Sequence, residues 1–347
     1  MDNMHQAPGS NRRIFLFAQP RTTSYLLTQM LGLDNQPHVH WEPSGVSVFT
    51  PITKLLIELE DKPVKEWTAA EKCHVRGSFQ QAFDALDQYR RDGDAKDKIV
   101  FAKDHCNFMW NPAAGDGRRS TAPGDPYFTV GSVDGGVDGR ATVKNPTVLS
   151  NEYLGSWVPI FLIRHPALVF PSFCRGVLEA TGQRNLCHDK MKVGKHIREQ
   201  MTFSYTRCLY DWYVRYSRES SEEDRASSTS PILLDSSDLI NDPRLVFALA
   251  ERLGLDQTKV QLSWDWETRT YADEMRNIFQ RTLNSSTGII KEKAVVDFNM
   301  AVLESKWKKE FGDELGDVIS DCVRTAMPDY EYLRDKRLRV PSTCVGD

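Results

Sequence analysis

The chain alternates short runs of consecutive apolar residues with longer stretches in which apolar positions recur every three or four residues. Ile14–Ala18, Ile99–Lys103, Val158–Ile163 and Ile232–Leu234 are continuous apolar runs bounded by turn residues or charge, the pattern of strands buried on both faces. His38–Glu42 is a further short strand candidate, running into Pro43. Between these runs the spacing predicts helices over 22–32, 51–60, 68–90, from about Ala167, 191–219, 242–253 and 297–326, with Gly254 closing the 242–253 helix. Residues 111–146 break the pattern: Gly115-Asp116-Gly117 and Asp134-Gly135-Gly136 mark a long loop, a lid or mobile insertion. Ser217–Ser230 reads as a charged, solvated loop. Strands alternating with helices predict an α/β fold, with a central, mostly parallel sheet and helices on both faces. The whole chain reads as one domain, with an α/β core over 12–290, the insertion at 111–146 and a helical segment over 291–347.

Composition narrows the function only modestly. The chain has 347 residues, 40% of them hydrophobic, and a net charge of −4. That balance argues against a nucleic-acid or anionic-membrane surface. The polar start, Met1–Asn11, predicts no signal peptide, and no apolar run reaches membrane-spanning length. Seven cysteines without CxxC spacing read as reduced thiols of a cytoplasmic protein.

Two segments carry the chemistry. In each, an apolar strand ends in a basic residue and turns directly into a helix: Ala18-Gln19-Pro20-Arg21-Thr22-Thr23-Ser24, and Ile163-Arg164-His165-Pro166 with Ser172 eight residues after Arg164. A strand end, a cation and a helix start together form an anion site. Two of them predict a ligand with two phosphate-like groups. The first turn is not a Walker A loop, since it lacks the glycines and the Gly-Lys-Ser/Thr ending, which argues against a kinase or ATPase. Arg21 offers a forked, permanent cation, and Thr22, Thr23 and Ser24 add hydroxyls. A plainer reading of the same residues has Thr22 capping the helix and Arg21 in solvent.

Pro20-Arg21-Thr22-Thr23-Ser24 after a strand resembles the 5′-phosphosulfate loop of sulfotransferases. Arg164 with Ser172 resembles their 3′-phosphate motif, and Lys103-Asp104-His105 resembles the Lys-x-His element that ends a middle strand in cytosolic members. The order along the chain also agrees, and Ile232–Gly254 resembles the strand and helix that follow. The resemblance covers roughly residues 13–290 with gaps. The family's Gly-rich basic closing loop is not present in clear form; the nearest candidate is Gln280–Gly288, with Arg281 as a phosphate ligand. The resemblance implies a P-loop NTPase-like sulfotransferase architecture. It implies 3′-phosphoadenosine 5′-phosphosulfate (PAPS) as donor, adenosine 3′,5′-bisphosphate (PAP) as product and a hydroxyl or amine of a small molecule as acceptor. Arg21, Thr22, Thr23, Ser24, Arg164, Ser172 and Arg281 are then donor ligands. His105 is the general base and Lys103 assists the leaving group, and no metal is required.

In-line sulfuryl transfer moves negative charge onto the leaving phosphate, so positioning and fixed cations supply most of the catalysis. Lys103 and His105 alternate on one strand face and can address one reaction centre. His40 and Glu42 are expected at the acceptor pocket, near the carboxyl edge of the sheet; with His38 they form only a weak metal set. Tyr205, Tyr210, Trp212, Tyr213 and Tyr216 read mostly as core, and His165 as a turn residue. Two other functions fit the same motifs: a sulfotransferase-like protein that binds a nucleotide or partner without transfer, and an enzyme in which sulfation triggers elimination or cyclisation.

Overall fold

The computed structural model describes residues 12–42, 47–114, 124–131, 145–182, 197–219, 230–265, 274–294 and 299–340. Five strands, β1 (Arg13–Ala18), β2 (Val39–His40), β3 (Ile99–His105), β4 (Val158–Ile163) and β5 (Ile232–Asp235), lie in one sheet in the order β2-β3-β1-β4-β5. β1 pairs in parallel with β3 and β4, and β2 with β3. Helices flank this sheet, so the α/β class and the parallel sheet expected from the apolar runs are those observed. The runs stay apolar because the middle strands have no wet face: Ile14–Ala18 and Ile160–Ile163 are fully buried.

The chain divides into two compact units. The first comprises Met1–Gln19, Pro37–Phe161 and Thr202–Pro231; the second comprises Pro20–Gln36, Leu162–Met201 and Ile232–Asp347. In the first, Phe17 stacks on Phe15 at 4.4 Å and on Phe161 at 5.2 Å between ring centres. Its helices are α2 (Ile52–Glu58), α3 (Ala69–Asp94), α4 (Asn151–Gly155) and α6 (Ser204–Glu219). Thr68 and Glu71 form a reciprocal capping box that starts α3. On α6, Tyr210, Trp212 and Tyr213 are buried, the core role expected for them.

The second unit holds α1 (Ser24–Met30), α5 (Pro166–Ala180), α7 (Ser236–Asn241), α8 (Arg244–Leu253), α9 (Glu274–Asn284), α10 (Met300–Phe311) and α11 (Asp313–Asp335). α1 is shorter than expected. Gly32, at φ 59°, turns the chain where a Cβ would stand 2.0 Å from the Lys259 carbonyl oxygen. The expected helix over 242–253 is α8, beginning after Asp242-Pro243, with α7 ahead of it. α11 packs on α10 and α5, and α9 packs on α5. Most of the Gly-rich insertion, including Gly115–Gly117 and Asp134–Gly136, lies outside the described residues, as do 220–229 of the charged loop. Among the described residues no helix is long and apolar enough to cross a membrane.

Candidate active site

In the second unit the turn after β1 and the start of α5 form one cluster rather than two separate sites. Arg21 and Thr23 both adopt left-handed backbone, φ 73° and 65°. Non-glycine residues there cost about 1–3 kcal/mol each. Left-handed residues on either side of Thr22 form the kind of turn whose N–H groups gather around an anion. The helix cap position belongs to Thr23, whose side chain makes no capping bond, so Thr22 is not a cap. Thr22 and Ser24 are buried; the Thr23 hydroxyl meets that of Ser236.

Arg21 is not in solvent either. Its Nε donates to Ser172 Oγ at 2.9 Å, its Nη1 donates to the Phe279 carbonyl, and its guanidinium lies 5.0 Å from the Phe279 ring centre. Arg164 donates from Nη1 to the Arg21 carbonyl at 3.2 Å and from Nη2 to the Lys293 carbonyl at 3.0 Å. Its Nε is buried with no partner. Arg21, Arg164 and Ser172, expected to serve two phosphates, therefore converge. Lys293, which the sequence reading did not single out, joins them.

The electrostatics are one-sided. Burial and the charge of Arg21 bring Arg164 down to about 10, against the partial support of Asp235. Burial and Arg175 lower Arg21. Burial, Arg164, Arg175 and Arg21 lower Lys293. Among the described residues no carboxylate lies within ion-pairing distance of Arg21, Arg164 or Lys293. Asp235 is spent elsewhere: it accepts from Ser237 N at 2.8 Å and Tyr330 Oη at 2.7 Å. Guanidinium groups that are buried, mutually repelling and bonded to neutral acceptors leave a standing demand for an anion.

Arg281 lies apart from this chemistry. On α9 it pairs with Glu179 and is largely exposed, so its charge is already matched at the surface. His165 takes the turn role expected of it: its Nδ1 accepts from Ala167 N at 3.2 Å and caps α5. Burial, then Arg334, holds it down to about 4.

In the first unit β3 ends in Lys103-Asp104-His105. Lys103 and Asp104 are fully buried. Asp104 accepts from His105 N at 2.7 Å and from Phe49 N at 3.2 Å. Burial raises its carboxyl to about 7 against those two bonds and the nearby Lys103 charge. The His105 imidazole is hydrogen-bonded to the backbone of Ala18, its register partner on β1. Its Nδ1 is buried with no partner, and Phe108 stands edge-on at 5.0 Å. Burial, then Lys103, depresses His105 well below the ordinary histidine value. The ring is thus neutral at pH 7. Donation to the Ala18 carbonyl fixes its tautomer and leaves the Nδ1 lone pair as the basic site. A neutral, oriented imidazole with a free lone pair can take a proton.

His40 falls elsewhere. Its register partner is Val100, five residues before His105 and so about 17 Å along the strand. It stacks on Tyr89 at 4.4 Å, and Tyr89 Oη donates to the carbonyls of His40 and Phe101 at 2.8 and 3.0 Å. The strand geometry thus puts His40 near the amino end of β3, not its carboxyl edge, with the exposed Glu42 two residues on. Among the described residues no group of three His, Cys, Asp or Glu side chains is placed to hold a metal ion. Half-buried Trp264 donates to the Ser286 carbonyl at 2.9 Å.

No family model matches the chain. Relatives do. Sulfotransferase ppzF of Metarhizium rileyi (strain RCEF 4871) is 35% identical over 344 residues, which cover 97% of this chain and 99% of that protein. Sulfotransferase ppzF of Metarhizium majus (strain ARSEF 297) is 33% identical over 347 residues, 95% of this chain and 98% of that protein. Among solved structures, the sulfotransferase domain from the Synechococcus PCC 7002 olefin synthase aligns over 97% of this chain and 99% of its own, at 13% identity and a TM-score of 0.39. A third of all positions shared with two sulfotransferases, from one end of each chain to the other, establishes kinship: this chain belongs to the sulfotransferase family.

Proposed function

We propose that the chain transfers a sulfuryl group from PAPS to a hydroxyl or amine of a small-molecule acceptor in the cytoplasm, releasing PAP. The carrying observation is the cluster of Arg21, Arg164 and Lys293, three cations with no carboxylate in ion-pairing distance among the described residues. The buried, unpartnered Nε of Arg164 is a donor that an oxyanion satisfies, so the residues present fit a phosphorylated ligand. In this reading Arg21, Thr22, Thr23 and Ser24 hold the phosphosulfate side of the nucleotide, and Arg164 and Ser172 hold the 3′-phosphate. When bound, the donor supplies the sulfuryl group and a phosphate leaving group.

The chain's own residues do the rest. His105 accepts the acceptor's proton at Nδ1, kept free because the Ala18 carbonyl occupies the other ring nitrogen. Its depressed basicity keeps it unprotonated at neutral pH, ready to act as base. The fixed charge of Lys103 two residues away helps keep the resting ring unprotonated, and in this reading it favours the developing oxyanion of the leaving group. Asp104 anchors the backbone of His105.

The test is calorimetric titration with adenosine 3′,5′-bisphosphate, adenosine 5′-phosphate and ATP, followed by transfer from PAPS to a panel of phenols, alcohols and amines. The expected outcome is bisphosphate binding at least tenfold tighter than the monophosphate, no ATP hydrolysis, and sulfated product from at least one acceptor. Equal affinity for the two adenosine phosphates overturns the 3′-phosphate assignment, and steady ATP turnover replaces the reading with an NTPase.

A further inference from the structure

Arg21 is the only member of the cation cluster whose guanidinium rests on a side-chain ring, and that ring belongs to a helix far away in sequence. Phe279 sits near the middle of α9 and holds Arg21 twice, through its carbonyl to Nη1 and through its ring face 5.0 Å from the guanidinium carbon. What brings α9 so close is Gly176 on α5: a Cβ there would lie 1.9 Å from Phe279 Cε1 and 2.6 Å from Cδ1. One turn earlier on α5, Ser172 Oγ takes the Arg21 Nε, and the ring of Phe173 is 6.4 Å from that of Phe279. Farther along both helices Glu179 and Arg281 pair at the surface. The contact between α5 and α9 therefore runs from an exposed ion pair, through a glycine notch, to the guanidinium.

We propose that Phe279, seated by the notch at Gly176, is a positioning residue for Arg21 and so sets affinity for the donor nucleotide. The inference rests on Arg21 being a donor ligand. A flexible arginine that must be immobilised on binding loses rotamer entropy, and one already clamped does not. Neutral partners suit this role, because a carboxylate clamp would cancel the charge that the phosphate needs. The ring face attracts the cation without neutralising it. The same arrangement gives Arg281 a part in seating α9 without touching the ligand.

A double-mutant cycle on the full chain tests this, read by calorimetry with adenosine 3′,5′-bisphosphate. Phe279→Leu removes the ring and keeps an apolar filler of similar bulk; it should weaken binding roughly 3- to 30-fold. In an Arg21→Ala background the same change should have almost no further effect, since its target is gone. Phe279→Tyr keeps the ring face and should bind within about twofold of the parent. Gly176→Ala, which pushes the ring off its seat, should mimic Phe279→Leu and likewise lose its effect without Arg21. Losses that multiply across the cycle overturn the proposal, as does a Tyr variant that binds as poorly as the Leu variant. Should Phe279→Leu fail to fold, the Tyr and Gly176→Ala arms decide by the same criteria. If the parent chain itself does not bind the bisphosphate, the donor reading fails instead, and the two failures are distinct.

Discussion

At the end of β4, Arg164 keeps its guanidinium among carbonyl oxygens, with Arg21 and Lys293 repelling it and its Nε unsatisfied. At the end of β3, Lys103 is followed by a buried carboxyl, Asp104, and then by an imidazole held neutral. Both strand ends are basic in sequence, yet the surroundings use the charge differently. The Arg164 cluster leaves positive charge unmatched, the condition for holding a polyanion. The Lys103 segment uses one charge to tune a neighbour, with the carboxyl directed at backbone N–H groups, the condition for proton transfer. A cation at a strand end thus takes its electrostatic character from the acceptors packed around it, and the two proposed roles should separate by mutation.

The sharpest way to break this contrast is His105→Ala. If His105 serves as base and takes no part in holding phosphate, turnover should fall by about 10²–10⁴ while bisphosphate affinity stays within about twofold of the parent. Steady-state kinetics and calorimetry on one preparation check both halves. Retained turnover moves the base elsewhere, and a parallel loss of binding erases the contrast between the strand ends.

Arg164→Ala is the complementary cut and should reverse the pattern. Losing charged hydrogen bonds to phosphate costs on the order of 1.5–3 kcal/mol, about one to two decades in bisphosphate affinity. Adenosine 5′-phosphate binding should change far less. Unchanged bisphosphate affinity removes Arg164 from the donor site.

How much of this was legible in the sequence depends on the range of the contacts. The strands at 14–18, 99–103, 158–163 and 232–234 announced themselves because both their faces are buried, and Arg21, Lys103, His105 and Arg164 stood out because each lies at or just past a strand end. What the sequence could not show was convergence. Arg21 meets Phe279 across 258 positions, and Arg164 meets Lys293 across 129; no local periodicity encodes either. Asp104 passed unnoticed between two conspicuous neighbours because its partner Phe49 lies 55 residues away. His40 misled for the opposite reason. A strand was read correctly at His40, but it covers only Val39–His40 and stops short of Glu42, and register, which sets the end of the sheet it lies near, is not local information.

The strand-end carboxyl gives a pH test of its own. Burial raises Asp104 to about 7 in the folded chain, against about 3.9 for a free aspartate. The folded state then binds more protons than the unfolded one between roughly pH 4 and pH 7, so this contribution to stability is full below pH 4 and is lost as pH rises to 7. His105, depressed when folded, acts in the opposite direction: its contribution is full above about pH 6.5 and is lost as pH falls. Asp104→Asn removes only the first slope. Relative to the parent, the variant should gain roughly 4 kcal/mol between pH 4 and pH 8, read by urea unfolding at each pH. Identical pH dependence in the two proteins removes Asp104 as a titrating group.

The smallest expected effect falls on Arg281, and its smallness is informative. By sequence it was the candidate that closes on a phosphate; in the structure its guanidinium pairs with Glu179, with 62% of the side chain exposed. Solvent screens such a pair, and its partner already satisfies it, so it has little to offer a distant anion. Arg281→Ala should therefore change bisphosphate affinity by less than about threefold, and Glu179→Ala should do the same, since either change only loosens the outer end of the contact between α5 and α9. A phosphate ligand behaves differently: its loss costs a decade or more, and removing Glu179 frees it and strengthens binding. Measuring both variants by titration distinguishes a residue that seats a helix from one that reaches the ligand. A tenfold loss for Arg281→Ala together with a gain for Glu179→Ala would return Arg281 to the donor site and place a fourth cation beside Arg21.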